Sequence, residues 1–357
     1  MTAPTFKTLR LCTSQSYPVM LNTKSTTVEC VDLELTVAQA GEQAVLDTVL
    51  QQLKPASSVD LGPGDDSAVI RHEGRTVVSS DTMIEGPDFR LDWHTPRELG
   101  WKLAAVNLSD IAAMGAHPTA LTVSLACPKD TRVSVLRDIA AGIQDALDTL
   151  APECAVAGGD LATAPMLLGA VTALGDLAGQ APVLRSGAAP GDTLAYGGDL
   201  GLSGLGLTLL ARGGRNEAAQ LPAAMSAHLT PDPPLHLGIH AARAGASAMM
   251  DVSDGLSLDA QRLARASQIS IDIYGELLDQ SFGSQRGWRR QLEPVDVSRT
   301  HMLTGGEDHG MLASFPPGVT LPEGFHAIGR VNAQRESLIY VDGEPFAASG
   351  WDPFATV

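Results

Sequence analysis

Lysine is scarce in this 357-residue chain. Five Lys contribute to 24 cationic side chains, which face 41 Asp and Glu, so the formal net charge is −17. A field of that sign repels phosphate backbones and anionic lipid, which excludes nonspecific binding to nucleic acid or a membrane surface. None of the Lys follows a Gly and no GxxxxGK[ST] run occurs, so no P-loop cradles phosphates here. The four cysteines, Cys12, Cys30, Cys127 and Cys154, form no CxxC and adjoin no His motif. That excludes a zinc site or redox pair by spacing and suits a reducing compartment. No uninterrupted apolar run reaches the roughly 18 residues of a membrane span, and the N-terminus lacks a basic segment followed by an apolar core and cleavage site. We therefore expect a soluble, unexported, cytoplasmic protein. Aromatics are only 4%, whereas 44% hydrophobic residues and 36 Gly describe an Ala- and Gly-rich globular chain. The length allows two or three domains at about 100 to 200 residues each. A chain this acidic binds a phosphorylated ligand only by inverting its charge locally, and divalent metals are the usual device.

Residues 1–35 show no clear period and read as an irregular extension. Apolar spacing from Val37 predicts a helix ending before Pro55. The turn Gly62-Pro63-Gly64 leads into strands Ser67 to Arg71 and Thr76 to Ser80, joined at Glu73-Gly74. Thr95, Pro96 and Glu98 spell a capping box with Pro at the first helical position, and Gly115 stops that helix. Strand Ala120 to Ala126, helix Val133 to Leu150, and strands Ala155 to Ala157 and Met166 to Leu174 follow, so the first half is mixed α/β. The Gly- and Pro-rich stretch Gly179 to Gly191 marks the expected boundary between a first domain at 36–182 and a second at 183–357. The second half alternates strands and helices again.

Carboxylates stand where a core is expected. In the helix after Thr95, Leu99, Leu103 and Val106 form one stripe whose next position is Asp110, and nearly every other face is apolar too. Such a helix is buried, and an ionised carboxylate within it needs a cationic partner. Asp65 and Asp66 follow the Gly-Pro-Gly turn. Asp81 ends an apolar strand, Asp160 ends the turn at Gly158-Gly159, and Asp251 and Asp254 bracket a strand-to-helix junction. Taken singly, each fits a solvated loop or a helix cap. Together they sit at strand exits, where α/β folds place ligands. Carboxylates ~4 Å apart repel by roughly 4 kcal/mol at an effective dielectric near 20, so a cluster of them implies cations. Oxygen-only donors select hard ions such as Mg²⁺.

The motifs Gly64-Asp-Asp-Ser-Ala-Val, Ser80-Asp-Thr-Met-Ile-Glu-Gly, Ala105-Val-Asn-Leu-Ser-Asp-Ile-Ala-Ala-Met-Gly-Ala-His-Pro, Gly158-Gly-Asp, Arg185-Ser-Gly-Ala-Ala-Pro-Gly-Asp, Asp251-Val-Ser-Asp-Gly-Leu and Gly305-Gly-Glu-Asp resemble, in order, those of the thiamine-monophosphate kinase family. The resemblance runs from about Gly41 to the C-terminus. It implies the two-domain PurM-like fold of the aminoimidazole-ribonucleotide-synthetase superfamily: an N-terminal α/β domain that forms a homodimer and a C-terminal α+β domain. It implies Mg²⁺-dependent, in-line transfer of the ATP γ-phosphoryl group to thiamine monophosphate, giving thiamine diphosphate.

Carried over residue by residue, Asp66, Ser79, Ser80, Asp81, Asp110, Asp160, Asp251 and Asp254 are the implied Mg²⁺ ligands, with catalysis resting on Asp110, Asp81 and Asp254. Gly159, Asp160, Arg185 and Ser253 are implied to touch ATP. Asp88, Glu307 and Trp351 are implied to face thiamine monophosphate. An acceptor that is already a phosphate, with a second pKa near ~6, needs no general base. The chain departs from the family pattern in three places: Asp88 replaces the usual His, Leu161 replaces Thr after Gly158-Gly-Asp, and His309-Gly310-Met311 replaces Tyr-Glu-Leu. Two alternatives follow from those departures, a related superfamily enzyme with another acceptor and a noncatalytic Mg²⁺-ATP-binding module. A selenophosphate-synthetase-like activity needs a reactive Cys in a glycine-rich loop, and neither Cys12 nor Cys30 lies in one.

Overall fold

The computed structural model describes residues 32–64 and 67–351. Its first half is built on a four-stranded sheet in the order Thr76–Ile84, Leu168–Asp176, His117–Cys127, Ala155–Thr163. The last two strands run parallel, and parallel neighbours need a crossover, which the Val133–Leu150 helix supplies. That helix and Pro96–Ala113 pack together over one face of the sheet. Their approach is close because Gly100 and Gly142 face each other's backbone: a Cβ on either would collide with the carbonyl of Ile139 or Arg97. The Pro96–Ala113 helix starts as its sequence predicts, with Thr95 and Glu98 capping each other and Pro at its first turn. Of its 18 residues 13 are buried, polar ones included, as its all-round apolarity predicts.

The second half carries a seven-stranded sheet in the order Glu344–Pro345, Ile339–Val341, Ile269–Ile273, Phe325–Ala333, Thr193–Gly197, Met311–Phe315, Ala248–Asp251. Helices Leu202–Ala218, Leu256–Ser267 and Gly275–Phe282 share one core with it. Met249, Met311, Ala313 and Phe315 join the core of the first half instead. Helix Leu235–Ala244 is the bridge, and Gly238 in it admits the Ala112 carbonyl of the Pro96–Ala113 helix. One helix of the first half is thus sandwiched against the sheet of the second, and its C-terminal turns lie at the seam.

Several expected elements are shifted. The helix from Val37 is two, Val37–Ala40 and Glu42–Leu50, broken at Gly41 with φ +81°. The strands on either side of Glu73-Gly74 do not pair: Val69–Ile70 joins Val59–Leu61, while Thr76–Ile84 joins Leu168–Asp176. Thr76–Ile84 and Ala155–Thr163 both outrun their apolar stretches. Asp81 and Asp160 therefore lie within strands, not at strand ends, because ladder pairing continues through the polar residues. Helices Pro222–Leu229 and Gly275–Phe282 go beyond the expectation. The stretch from Gly179 to Gly191 contains neither helix nor strand. Most of the N-terminal extension lies outside the described residues.

Candidate active site

Strand alternation decides which carboxylates meet. Ser79 and Asp81 point to the helix-covered face of the four-stranded sheet, where Ser79 Oγ donates to Asp110 Oδ2 at 2.6 Å and Asp81 shares a hydrogen-bonded contact with Asp110. Ser80 points the other way and donates to Val171 O at 3.1 Å. Asp110 reaches this point from the last turn of its helix, and Ser109 beside it donates to Asp251 Oδ2 at 3.1 Å. Asp251, buried at the end of its strand, also meets His309 Nδ1 at 3.2 Å. Residues from both halves of the chain thus converge on one polar seam.

The seam carries more carboxylate than its one histidine offsets. Burial lifts Asp110 from 3.8 to about 7, and the charges of Asp251 and Asp81 add to the rise against the Ser79 hydrogen bond. Asp81 stays exposed on its solvent side, yet it is raised too, by desolvation of the side facing Asp110 and then by Asp251 and Glu307, although the Asp110 contact and His309 pull it down. His309 is raised: burial opposes the charged ring, and the hydrogen bond and charge of Asp251 outweigh it. His309 replaces the family's Tyr, and its Nε2 is buried without a partner among the described residues.

Glu307 stands at the other end of the seam with Lys102. Lys102 has a fully buried side chain, and its Nζ lies 2.6 Å from Glu307 Oε2. Burial alone would raise Glu307, yet Lys102, His309 and His228 bring it down to about 2. Motif reading passes over Lys102 because it follows no glycine loop. The available signal was a lone Lys in a helix apolar all round, the same anomaly that exposes Asp110. Beside this pair, Glu307 N donates to Ser253 O at 2.7 Å, and Trp351 N donates to Asp254 O at 2.9 Å. The Ser253–Asp254 loop is braced by buried Asp259, which accepts both amides, while Arg262 Nη1 pairs with Asp254 at 2.5 Å. Trp351 is 44% exposed.

The remaining expected site residues lie elsewhere. Gly159 and Asp160 line a cavity of about 430 Å³ with Gly62, Gly64, Leu136 and Leu161. Gly159 belongs to the same cross-sheet row as Asp81, through Val171 and Val123. Three strand spacings put these rows roughly 14 Å apart. Arg185 is exposed along the edge of strand Ala248–Asp251, its carbonyl accepting from Ser267 Oγ at 2.8 Å. Asp88 turns back on its own chain and accepts the Ile84 amide at 2.8 Å. Asp66 lies outside the described residues. Among the described residues no three His, Cys, Asp or Glu gather into a ready metal cage.

The donor set still fits a hard divalent cation. Asp81, Asp110 and Asp251 offer only oxygen, and Mg²⁺ is commonly held by one or two carboxylates with substrate phosphates completing its shell. The raised Asp110 reflects burial and the charges of Asp251 and Asp81 gathered at that point.

Residues 64–177 match the model of the AIR synthase related protein N-terminal domain, and 189–339 that of its C-terminal domain. The chain is 39% identical over 323 residues to the thiamine-monophosphate kinase of Mycobacterium tuberculosis, covering 89% of this chain and 93% of that protein. To the thiamine-monophosphate kinase of Corynebacterium glutamicum it is 36% identical over 334 residues, covering 89% and 95%. The solved structure of AaThiL complexed with AMPPCP and TMP superposes with a TM-score of 0.67 at 27% identity, covering 90% of this chain and 100% of that one.

Proposed function

The chain belongs to the thiamine-monophosphate kinase family, and on that premise we propose that it transfers the γ-phosphoryl group of ATP to the phosphate of thiamine monophosphate. The P–O bond to ADP breaks as a bond forms to an acceptor phosphate oxygen, and thiamine diphosphate leaves. The observation that carries this reading is the seam itself, where Asp81 and Asp110 of the first half meet Asp251 and His309 of the second. Catalysis here is alignment and charge neutralisation, with no proton to be abstracted.

Asp81, Asp110 and Asp251, with Ser79, Asp254 and Asp66, are the residues that would hold Mg²⁺. Bound there, the ion would neutralise and orient phosphoryl oxygens. Ser80 and Asp160, carried over from the family as further ligands, have side chains away from that group, so any part they play is through backbone or a separate site. The adenosine end of ATP fits the cavity at Gly159 and Asp160, which falls in the size range of small-molecule sites, roughly 300–1,000 Å³. About 14 Å of sheet, with buried Val171 between, separates that cavity from Asp81, so the phosphates would reach the carboxylates around the core and not along this row. Ser253 lies beside Glu307 on the path, and Arg185 offers a planar cation to phosphate only if the exposed 184–187 edge folds inward. Glu307 and the aromatic ring of the exposed Trp351 suit a cationic heteroaromatic ring. Asp88 would act on the acceptor indirectly, by shaping the Glu85 to Phe89 turn.

The same reading takes 36–182 and 183–357 as domains and the protein as a cytoplasmic homodimer. Supporting a dimer, the sheet face opposite the helices is uncovered among the described residues: Val78 is 60% exposed, and Thr82 and Ser124 on the same face are exposed. An uncovered sheet face of this kind is suited to a second copy. An acceptor panel tests the activity. ADP release should require thiamine monophosphate and should not occur with thiamine or inorganic phosphate. ADP release independent of the thiamine compound would overturn the reading.

A further inference from the structure

Lys102 is the buried cation for which the catalytic scheme has no use. Its side chain is fully buried and its one polar contact among the described residues is Glu307 Oε2. A buried ion pair is a poor stability device, since apolar residues of similar volume often do as well, so its presence calls for another reason. Three features of the surroundings supply one.

First, Lys102, Val106 and Ser109 recur at helical spacing on one face of Pro96–Ala113. Lys102 reaches Glu307, while Ser109 Oγ reaches Asp251 Oδ2 at 3.1 Å and His309 O at 3.3 Å. One helix face of the first half thus grips the 305–310 segment of the second at two points. Second, that segment is held in a costly conformation. Glu307 has φ +68° and His309 φ +53°, both in the left-handed region that side chains avoid. Asp308 between them caps the Leu202–Ala218 helix by accepting the amides of Gly201 and Ser203. Third, Glu307 is held by one oxygen only. Oε2 is buried against Lys102, while the side chain as a whole keeps 33% of its surface and Oε1 makes no hydrogen bond among the described residues.

The same helix carries Asp110 eight residues further on, a distance of ~12 Å at 1.5 Å per residue. That span suits an extended molecule with a phosphate at one end and a cationic ring at the other. We propose that Lys102 is a positioning residue that clamps Glu307 Oε2, aims Oε1 at the cationic rings of thiamine monophosphate, and makes the helix a ruler between the ring anchor and the phosphate end at Asp110. This rests on the reading of Glu307 as an acceptor contact given above. The buried cation also keeps the carboxylate ionised, and a neutral Glu307 attracts a ring cation far less.

The test is a double-mutant cycle on the full chain, with thiamine monophosphate binding measured by calorimetry in Mg²⁺ without ATP and both KM values measured in turnover. Lys102→Met and Glu307→Gln should each weaken thiamine monophosphate binding by roughly tenfold or more, with the ATP KM within about twofold of wild type. The double variant should bind as Glu307→Gln does, because Lys102 acts only through Glu307. It contains no lone buried charge, so it keeps the comparison available if Lys102→Met fails to fold. Lys102→Gln, which retains a donor, should lose less than Lys102→Met. A double variant weaker than Glu307→Gln by the full Lys102 factor overturns the clamp, as does unchanged binding in Lys102→Met. Wild-type protein that binds no thiamine monophosphate overturns the proposed function together with this inference, whereas a binding wild type with an additive cycle overturns the inference alone.

Discussion

Replacing Asp110 by Asn should make the protein inactive and, in the absence of divalent cations, more stable. The carboxyl rises from 3.8 to about 7 because it is partly buried and faces Asp251 and Asp81. At 1.36 kcal/mol per pH unit, that rise is worth at most roughly 4 kcal/mol against the folded state once Asp110 is ionised. Solvent access at the helix end and proton sharing with Asp81 reduce the figure, and ~1–2 kcal/mol is the expected gain. Asn keeps the contacts that matter locally: its carbonyl can accept from Ser79 Oγ, and its amide can donate to Asp81. The sign with pH is defined. Between about 4 and about 7 the folded wild type retains a proton that the unfolded chain has lost, so its stability falls as pH rises through that window. Asp110→Asn lacks this contribution. Melting curves in EDTA at pH 4 and pH 8 should show the variant ahead only at the higher pH, by roughly 2–6 °C. Turnover with Mg²⁺ should drop by at least ~100-fold. A variant that melts lower than wild type at pH 8 in EDTA would refute the claim that these carboxylates are held together against their own repulsion.

Millimolar Mg²⁺ should raise the melting point of the wild type and much less that of Asp110→Asn, with a stabilisation of ~2.7 kcal/mol at a hundredfold excess over Kd; equal shifts in calorimetry would place the ion elsewhere. Trp351→Ala should raise KM for thiamine monophosphate with an unchanged melting point, because the ring is 44% exposed; a changed ATP KM alone would assign the ring to the nucleotide. Asp88→Ala should lower stability by about 1 kcal/mol through loss of its hydrogen bond to the Ile84 amide, read by urea titration; an unaffected midpoint would show that the turn stands without it. Gly159→Ala should damage ATP binding and stability together, because a Cβ there collides with the Val123 carbonyl; a variant with wild-type melting and ATP KM would refute that packing.

The helix carrying Asp110 was legible because two independent signals coincide there: a capping box and apolarity on every face. Burial then follows, and with it the anomaly of a carboxylate in a core. The strand residues were read less well. Asp81 and Asp160 were expected at strand exits because their apolar runs stop there, but ladder hydrogen bonds are made by backbone and carry Thr76–Ile84 and Ala155–Thr163 onward through polar side chains. That continuation separates Ser79 from Ser80, since neighbouring residues on a strand take opposite faces. For Lys102 and His309 the sequence marks the positions and not the partners. Their partners, Glu307 and Asp251, are 205 and 58 residues away in sequence, and only the packing of one half on the other brings them together. Asp88 shows the converse: its motif position pointed to substrate, while its nearest hydrogen-bond donor was four residues upstream on its own chain.

The most direct test of the account follows the phosphoryl group itself. ATP labelled at the γ-phosphate is incubated with the protein, Mg²⁺ and thiamine monophosphate, and the label is traced by ³¹P NMR or chromatography. The account requires the label in the terminal phosphate of thiamine diphosphate, one ADP per product, and neither product when thiamine monophosphate is left out. Label appearing only as inorganic phosphate, or ADP formed in equal amount without the acceptor, would contradict it.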